Sequence, residues 1–156
     1  MSIRKTVPAL VFALALLMVP CSSKAQATKG PLATVQSIKC SFTLMVVGTW
    51  GEKEPEAKVK PASRVLQFDA INADEGSAVL KDDYGKSDII VRYSGGYLHF
   101  IQSKLDGPLY TTTILEKKTA SGKLKAMHSR HEFTDYALVG FTSSPEQYYG
   151  DCEILQ

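Results

Sequence analysis

Hydrophobic and polar residues alternate one by one between Ile38 and Leu44. The apolar positions are Ile38, Cys40, Phe42 and Leu44, with Val46 at the same parity, and the polar residues between them are Lys39, Ser41 and Thr43. A period of two is typical of a strand with one face in the core and the other in solvent, because successive side chains point to opposite sides. The pattern therefore predicts a first strand whose even-numbered side chains are buried.

Turn signals divide the rest of the chain into short segments rich in β-forming residues. In Ser94-Gly95-Gly96-Tyr97, two glycines supply the pair of positive φ angles that a tight hairpin needs. Other signals that contain glycine occur at 74–76, 83–85, 106–108 and 121–122. We predict further strands at 63–71, 77–82, 88–93, 97–103, 109–116, 123–133 and 136–141, with a last one near 151–155.

Two segments interrupt this strand pattern. Residues 52–61 are charged and contain two prolines, which predicts a solvated loop or a flap over one end of the sheet. In Ser144-Pro145-Glu146-Gln147, serine suits a helix N-cap, proline the first helical position and glutamine a capping box. We therefore predict one short helical turn near 144–149.

These elements predict an all-β domain built as an antiparallel meander. Eight or nine strands in a row leave two exposed edges unless the sheet closes on itself. A closed or nearly closed eight-stranded barrel is therefore the favoured architecture, and a sandwich is the alternative.

The first 27 residues have the features of a secretory signal peptide. Arg4 and Lys5 precede an apolar stretch too short to span a bilayer, and Ala25-Gln26-Ala27 is a typical cleavage site. Residues 28–156 would then form a single β-domain, periplasmic or secreted. The alternative is a lipoprotein anchored through Cys21, although Pro20 stands where a small residue is preferred. Loss of residues 1–27 changes the net charge from +2 to about −1, so no basic surface for nucleic acid is expected.

Two cysteines, Cys40 and Cys152, remain after cleavage. An even pair in an exported chain predicts a disulfide. It would close a loop of roughly a hundred residues, which is worth about 4–5 kcal/mol in the chain-entropy model. Such a bond would also join the first and last strands, which a closed meander brings together.

The densest cluster of polar side chains is His128-Ser129-Arg130-His131. Two imidazoles and a guanidinium can bind a metal or an anion. On a regular strand His128 and Arg130 share one face while His131 points to the other, so the two histidines reach one ion only across a bulge. A metal would also need a third ligand, for which His99 or a carboxylate such as Glu132 or Asp135 is the candidate. We predict no metal and no other cofactor, with a metal site at His128, His131 and His99 as the alternative.

The second candidate is Tyr148-Tyr149-Gly150-Asp151-Cys152. Tyrosine is enriched at binding surfaces, but beside a disulfide it also packs on the sulfurs or fills the end of a barrel. No nucleophile elbow, zinc-protease helix, phosphate loop or C-x-x-C pair is present. No catalytic residue is therefore assigned, and an enzyme is the least favoured class.

The C-terminal quarter, with His128-Ser129-Arg130-His131 followed by Pro145-x-Gln147-Tyr148-Tyr149-Gly150-x-Cys152, resembles small exported bacterial β-barrel proteins of unknown function. This resemblance implies no activity. The general plan is also similar to periplasmic lysozyme inhibitors and lipocalin-like carriers. The S-G-x-x-Y motif of the inhibitors is not present, because Ser94-Gly95-Gly96-Tyr97 is one residue shorter, and Gly48-Thr49-Trp50 has the lipocalin G-x-W spacing at the wrong end of its strand.

Export, a closed β-architecture and missing catalytic motifs predict a non-enzymatic binding protein for a small molecule or an envelope protein. Its candidate binding residues are His128, Arg130, His131, Tyr148 and Tyr149. The alternatives are an envelope interaction or inhibitor protein, and a metal or anion binder at His128, Arg130 and His131. An interior cavity would favour a small apolar ligand, whereas a filled core with an exposed aromatic patch would favour a protein partner. No nucleic-acid partner and no transmembrane segment are expected.

Overall fold

The computed structural model describes residues 30–50, 53–103, 107–131 and 145–155, which form one short helix and eight strands. Among these residues no helix is long and apolar enough to cross a membrane. The helix is a 3-10 turn, Pro31–Thr34. The strands are β1 (Ile38–Trp50), β2 (Pro55–Asn72), β3 (Ser77–Asp82), β4 (Gly85–Ser94), β5 (Tyr97–Ser103), β6 (Leu109–Lys118), β7 (Leu124–His131) and β8 (Glu146–Ile154).

The eight strands form a closed antiparallel barrel. Each strand pairs with the next one in the chain, and β8 pairs with β1. Turns containing glycine fix several of the hairpins, as the sequence predicts. In the β4–β5 turn, Gly95 and Gly96 have φ angles of 57° and 82°, the left-handed region that few other residues adopt without strain.

A disulfide between Cys40 and Cys152 joins the two strands at which the ring closes, so the predicted pairing is confirmed. The two residues lie directly opposite each other in the β1–β8 ladder, with Cα atoms 4.0 Å apart. Both side chains are buried inside the barrel. The sequence separation of 112 residues corresponds to about 5 kcal/mol in the chain-entropy model.

The barrel interior is filled by apolar side chains from all eight strands. Phe68 and Phe100 stack in it with ring centroids 3.9 Å apart. The 3-10 helix closes one end with the buried side chain of Leu32, whose backbone N–H donates to the Glu116 carboxylate at 3.1 Å. The buried apolar residues are Leu32, Val35, Ile38, Cys40, Phe42, Leu66, Phe68, Ile71, Ala78, Leu80, Ile89, Val91, Leu98, Phe100, Ile114, Ala126, Tyr148 and Cys152.

A β-bulge in β1 exchanges the two faces of this strand after Phe42. Phe42 pairs with Gly150 and Leu44 with Tyr149, so β1 has one residue more than β8 at this point. One extra residue moves every following side chain to the opposite face. Phe42 is therefore 1% exposed, Leu44 is 42% exposed, and Met45 packs against the core. The predicted burial of even-numbered residues holds as far as Phe42 and is wrong at Leu44.

Two local predictions are also wrong. Most of the expected loop at 52–61 is strand, because residues 55–61 begin β2 and pair with residues 44–50 of β1. Residues 146–149, expected in a helical turn, begin β8 and pair with both β1 and β7, which satisfies more backbone groups than one isolated helical turn. The predicted signal peptide at 1–27 and the predicted strand at 136–141 lie outside the described residues.

Candidate functional site

The inward-facing side chains change from apolar to polar towards the end of the barrel opposite the 3-10 helix. Strand register places them in adjacent rows: Tyr110 pairs with Arg130 and Arg130 with Glu146, while His128 pairs with Tyr148. We call this region the polar end. Its inward residues are Arg64, Gln102, Tyr110, Thr112, His128, Arg130, Glu146 and Tyr148.

Arg130, Glu146 and Tyr148 form one buried network at the polar end. The Arg130 Nη1 atom lies 3.3 Å from Glu146 Oε2, and the Tyr148 hydroxyl donates to the same oxygen at 2.5 Å. Burial and this hydrogen bond raise the pKa of Tyr148, so the phenol stays protonated as a donor. A buried charge needs such partners, and each ion here offsets the cost of desolvating the other. The network therefore neutralises Arg130 and orients Tyr148.

His128 lies inside the barrel and is only 4% exposed. Its Nδ1 atom is 2.8 Å from the Thr112 hydroxyl oxygen, and its ring packs against Phe42 and Tyr148 at centroid distances of 5.7 Å. Burial, together with the positive charges of Arg64 and Arg130, lowers the pKa of His128 to about 3. The imidazole is therefore neutral at neutral pH. Its Nε2 atom is buried and has no hydrogen-bond partner among the described residues.

Arg64 completes the polar end from β2. Its guanidinium carbon lies 5.3 Å from the centroid of the Tyr148 ring, a cation–π contact. A cavity of about 20 Å³ lies between its side chain, His128 and Arg130, with Gln102 and Tyr110 also in the wall. This volume suits one water-sized occupant. Sequence reasoning missed Arg64, although it shares the inward parity of Leu66 and Phe68 along β2.

The structure separates the other predicted site residues from this cavity. His131 is exposed at the end of β7. Tyr149 faces outward, where its hydroxyl donates to Gln147 at 2.7 Å. His99 lies outside on β5, stacked on Tyr97, and its Nδ1 is 3.0 Å from a threonine hydroxyl. The three histidines do not converge, and no group of three metal-ligating side chains occurs within the described ranges.

A second surface with functional features is the β1–β2 ribbon, which we define as residues 44–50 and 55–61. Leu44 pairs with Pro61 and Val46 with Val59, so these four side chains share the outer face of the ribbon. Leu44 is 42% and Val59 is 66% exposed. The opposite face carries Glu56, Lys58 and Lys60 on β2, paired with Thr49, Val47 and Met45 on β1. The outer face thus leaves the large apolar side chains of Leu44 and Val59 in solvent, whereas apolar surface is normally covered.

The ribbon also has an unpaired strand edge. Pairing between β2 and β3 begins at Gln67, so the far side of residues 55–66 has no strand partner within the described part of the chain. Such an edge presents backbone N–H and C=O groups that can hydrogen-bond to another extended segment. The edge and the apolar face belong to the same residues of β2, and one extended partner could therefore cover both.

Neither the known protein families, nor the curated proteins, nor the solved structures give a match to this chain, so its function must be argued from these two surfaces alone.

Proposed function

We propose that this chain is an exported, non-enzymatic binding protein that recognises another protein through the β1–β2 ribbon. The observation that carries the proposal is the exposed apolar face of the ribbon beside an unpaired strand edge. The partner contributes an extended segment that adds to the free edge of β2 at residues 55–66. Its apolar side chains cover Leu44, Val59 and Pro61.

Strand addition is supported by the chemistry of the edge. Main-chain hydrogen bonds supply affinity in this mode of recognition, and alternate side chains supply specificity. The outer face of the ribbon offers apolar side chains, and the β2 side of the other face offers Lys60 together with Lys58, which lies 3.6 Å from Glu56. Acidic side chains on the matching face of the partner would complement this excess of positive charge.

The filled interior favours this function over a carrier for a small apolar ligand. Phe42, Leu66 and Phe68 are at most 2% exposed and pack in the core, while Leu44 lies on the outside of the barrel. Side chains that would have to line a common apolar cavity are thus either packed together or on opposite faces of the sheet. Recognition at the outer surface does not require the core to open.

Site-specific photo-crosslinking in cells that produce the protein tests this function. A photoreactive amino acid at Val59 should give an adduct of one defined mass, and the same residue at Ile90 should not, because Ile90 is comparably apolar and 48% exposed but lies on β4. Identical adducts at both positions, or none at Val59, would refute the proposal. An adduct of twice the mass of the chain would mean that the occupant is a second copy.

Two further measurements separate strand addition from a simple apolar contact. Amide hydrogen exchange of the purified complex should slow at residues 55–66 and stay unchanged on β4. The double substitution Lys58→Glu, Lys60→Glu should reduce the adduct yield, whereas Lys125→Glu on the exposed face of β7 should not. Unchanged exchange at 55–66 would exclude pairing at this edge.

A further inference from the structure

The hydrogen bonds of β1 determine which backbone groups of the ribbon point to its free edge. In an antiparallel sheet, the N–H and C=O groups of one residue point to one neighbouring strand, and those of the next residue point to the other. The backbone N–H of Gly48 donates to the Pro145 carbonyl at 3.1 Å, on the β8 side of β1. Gly48 and its β2 partner Ala57 therefore form a non-hydrogen-bonded pair.

Alternation extends this assignment along the ribbon, where the β1–β2 register is regular from residue 44 to residue 50. The pair one step away from Gly48 and Ala57, formed by Val47 and Lys58, exchanges both of its backbone hydrogen bonds. The even-numbered residues of this part of β2 thus bond to β1. The polar backbone groups that point to the free edge belong to the odd-numbered residues, 55, 57, 59 and 61.

Two prolines limit what this edge can donate. Pro55 and Pro61 belong to the odd-numbered set, and proline has no N–H group. Proline is tolerated in an edge strand where the missing N–H would face away from the neighbouring strand, which is the case at both positions. Within the described part of the ribbon, the free edge therefore has N–H donors only at Ala57 and Val59. A partner strand finds a donor and an acceptor at these two residues, and an acceptor alone at each proline.

The side chains beside Ala57 and Val59 determine which residues a partner strand needs there. A residue opposite either of them places its side chain on the outer face, next to the exposed apolar side chain of Val59. The residue between these two lies opposite Lys58 and places its side chain on the other face. Lys58 and Lys60 outnumber Glu56 on the β2 side of that face, which favours an acidic side chain.

We propose that the ribbon selects a short extended protein segment with the sequence apolar–acidic–apolar, paired antiparallel with residues 57–59. This proposal rests on the proposed function and adds the register and the sequence of the partner. Antiparallel pairing matches every ladder of the barrel, and it puts the first apolar residue opposite Val59 and the second opposite Ala57. The second one can be large, because a Cβ added to Gly48 in the same row would meet no atom within 4 Å.

Amide hydrogen exchange of the whole protein, followed by NMR, tests the backbone directions before any peptide is added. The amides of Lys58 and Lys60 should exchange slowly, because they bond to β1, and those of Ala57 and Val59 should exchange quickly. The synthetic peptide acetyl-Thr-Thr-Val-Glu-Leu-Thr-Thr-amide should then slow exchange at Ala57 and Val59. Equal exchange at all four amides of the free protein, or no protection at millimolar peptide, would overturn the proposal.

Fluorescence anisotropy with the labelled peptide tests the sequence preference and the role of the donors. A peptide with lysine in place of glutamate should bind about fivefold more weakly, since it puts like charges opposite each other. The substitution Ala57→Pro removes an N–H from the free edge but none from the ladder with β1, so circular dichroism should show an unchanged barrel. It should weaken peptide binding about tenfold, whereas Ala57→Ser keeps the N–H and should bind like the wild type. Equal affinities for the two peptides, or for wild type and Ala57→Pro, would refute the proposal.

The crosslinking experiment at Val59 separates a failure of this proposal from a failure of the proposed function. In cells, Ala57→Pro should lower the yield of the adduct, and Ala57→Ser should not. An undiminished yield in Ala57→Pro, or a crosslinked partner segment without the apolar–acidic–apolar sequence, would refute the register and leave the function standing. The absence of any adduct in the otherwise unchanged protein would refute both.

Discussion

Lowering the pH from about 7.5 to about 5 should destabilise the fold through His128, because the folded protein resists protonating this ring. The ordinary pKa of 6.5 applies to the unfolded chain, and the folded value is about 3. Below pH 6.5 the unfolded state therefore binds nearly one proton more than the folded state. The contribution of His128 is fully present above pH 6.5 and is lost progressively as the pH falls towards 3. The loss is about 1.4 kcal/mol per pH unit, or about 2 kcal/mol at pH 5.

Urea unfolding followed by far-UV circular dichroism in halide-free buffer measures this loss. For each variant, the slope of the free energy of unfolding against pH is compared with that of the wild type. Other groups that titrate in the unfolded chain contribute equally to each slope. His128→Phe should lose the part of the slope due to His128, whereas His131→Gln, which changes an exposed histidine on the same strand, should keep it. Lys81, Ser37 and Gln67 hold the pKa of Asp69 at about 2, so this carboxylate stays ionised throughout. The reasoning is refuted if His128→Phe and wild type lose the same free energy.

Four other variants test the packing of the barrel. In urea unfolding, Phe42→Ala should lower the free energy of unfolding by about 3–5 kcal/mol. Leu44→Ala should change it by less than about 0.5 kcal/mol, because the bulge places Leu44 on the outside of the barrel. Equal losses for the two variants would place the bulge elsewhere. Gly150→Ala should prevent normal folding, seen as lost β-signal, since its Cβ would lie 2.0 Å from a backbone oxygen of β1; native-like stability would contradict this contact. Replacing both Cys40 and Cys152 by alanine should lower the free energy of unfolding by up to about 5 kcal/mol, and an unchanged urea midpoint would argue against the bond.

Local sequence signals predict the barrel well where the hairpins are regular. The predicted strands at 77–82 and 97–103 agree with β3 and β5, because glycine turns on either side fix the register. The pair Cys40 and Cys152 also predicts correctly which strands meet. These signals act within a few residues, or through a single covalent bond, and need no knowledge of the core.

The errors arise where pairing between distant strands overrides a local pattern. Thr43 continues the alternation that runs from Ile38 to Leu44, and only the mismatch with β8 makes it a bulge. Glu146 follows a good helix start signal, yet β1 and β7 both offer ladder partners. Arg64 was missed because a charged residue on the inward face of a strand contradicts the usual pattern. Arg64 belongs to the polar end only together with His128 of β7, and the two residues come close only because the barrel closes.

The pairing of the first strand with the last one affects the order in which the barrel folds. Ile38 pairs with Ile154, and the backbone N–H of Leu155 donates to the Ser37 carbonyl at 3.0 Å. A chain that stops before Glu146 lacks β8 and leaves β1 and β7 as open edges, which attract other chains. Closure therefore waits for the final strand and depends on contacts of very high sequence separation, which form slowly. A circular permutant that links Leu155 to Ser37 and opens the β3–β4 turn would keep every ladder but move the seam, so the β3–β4 ladder would become the last pairing to close.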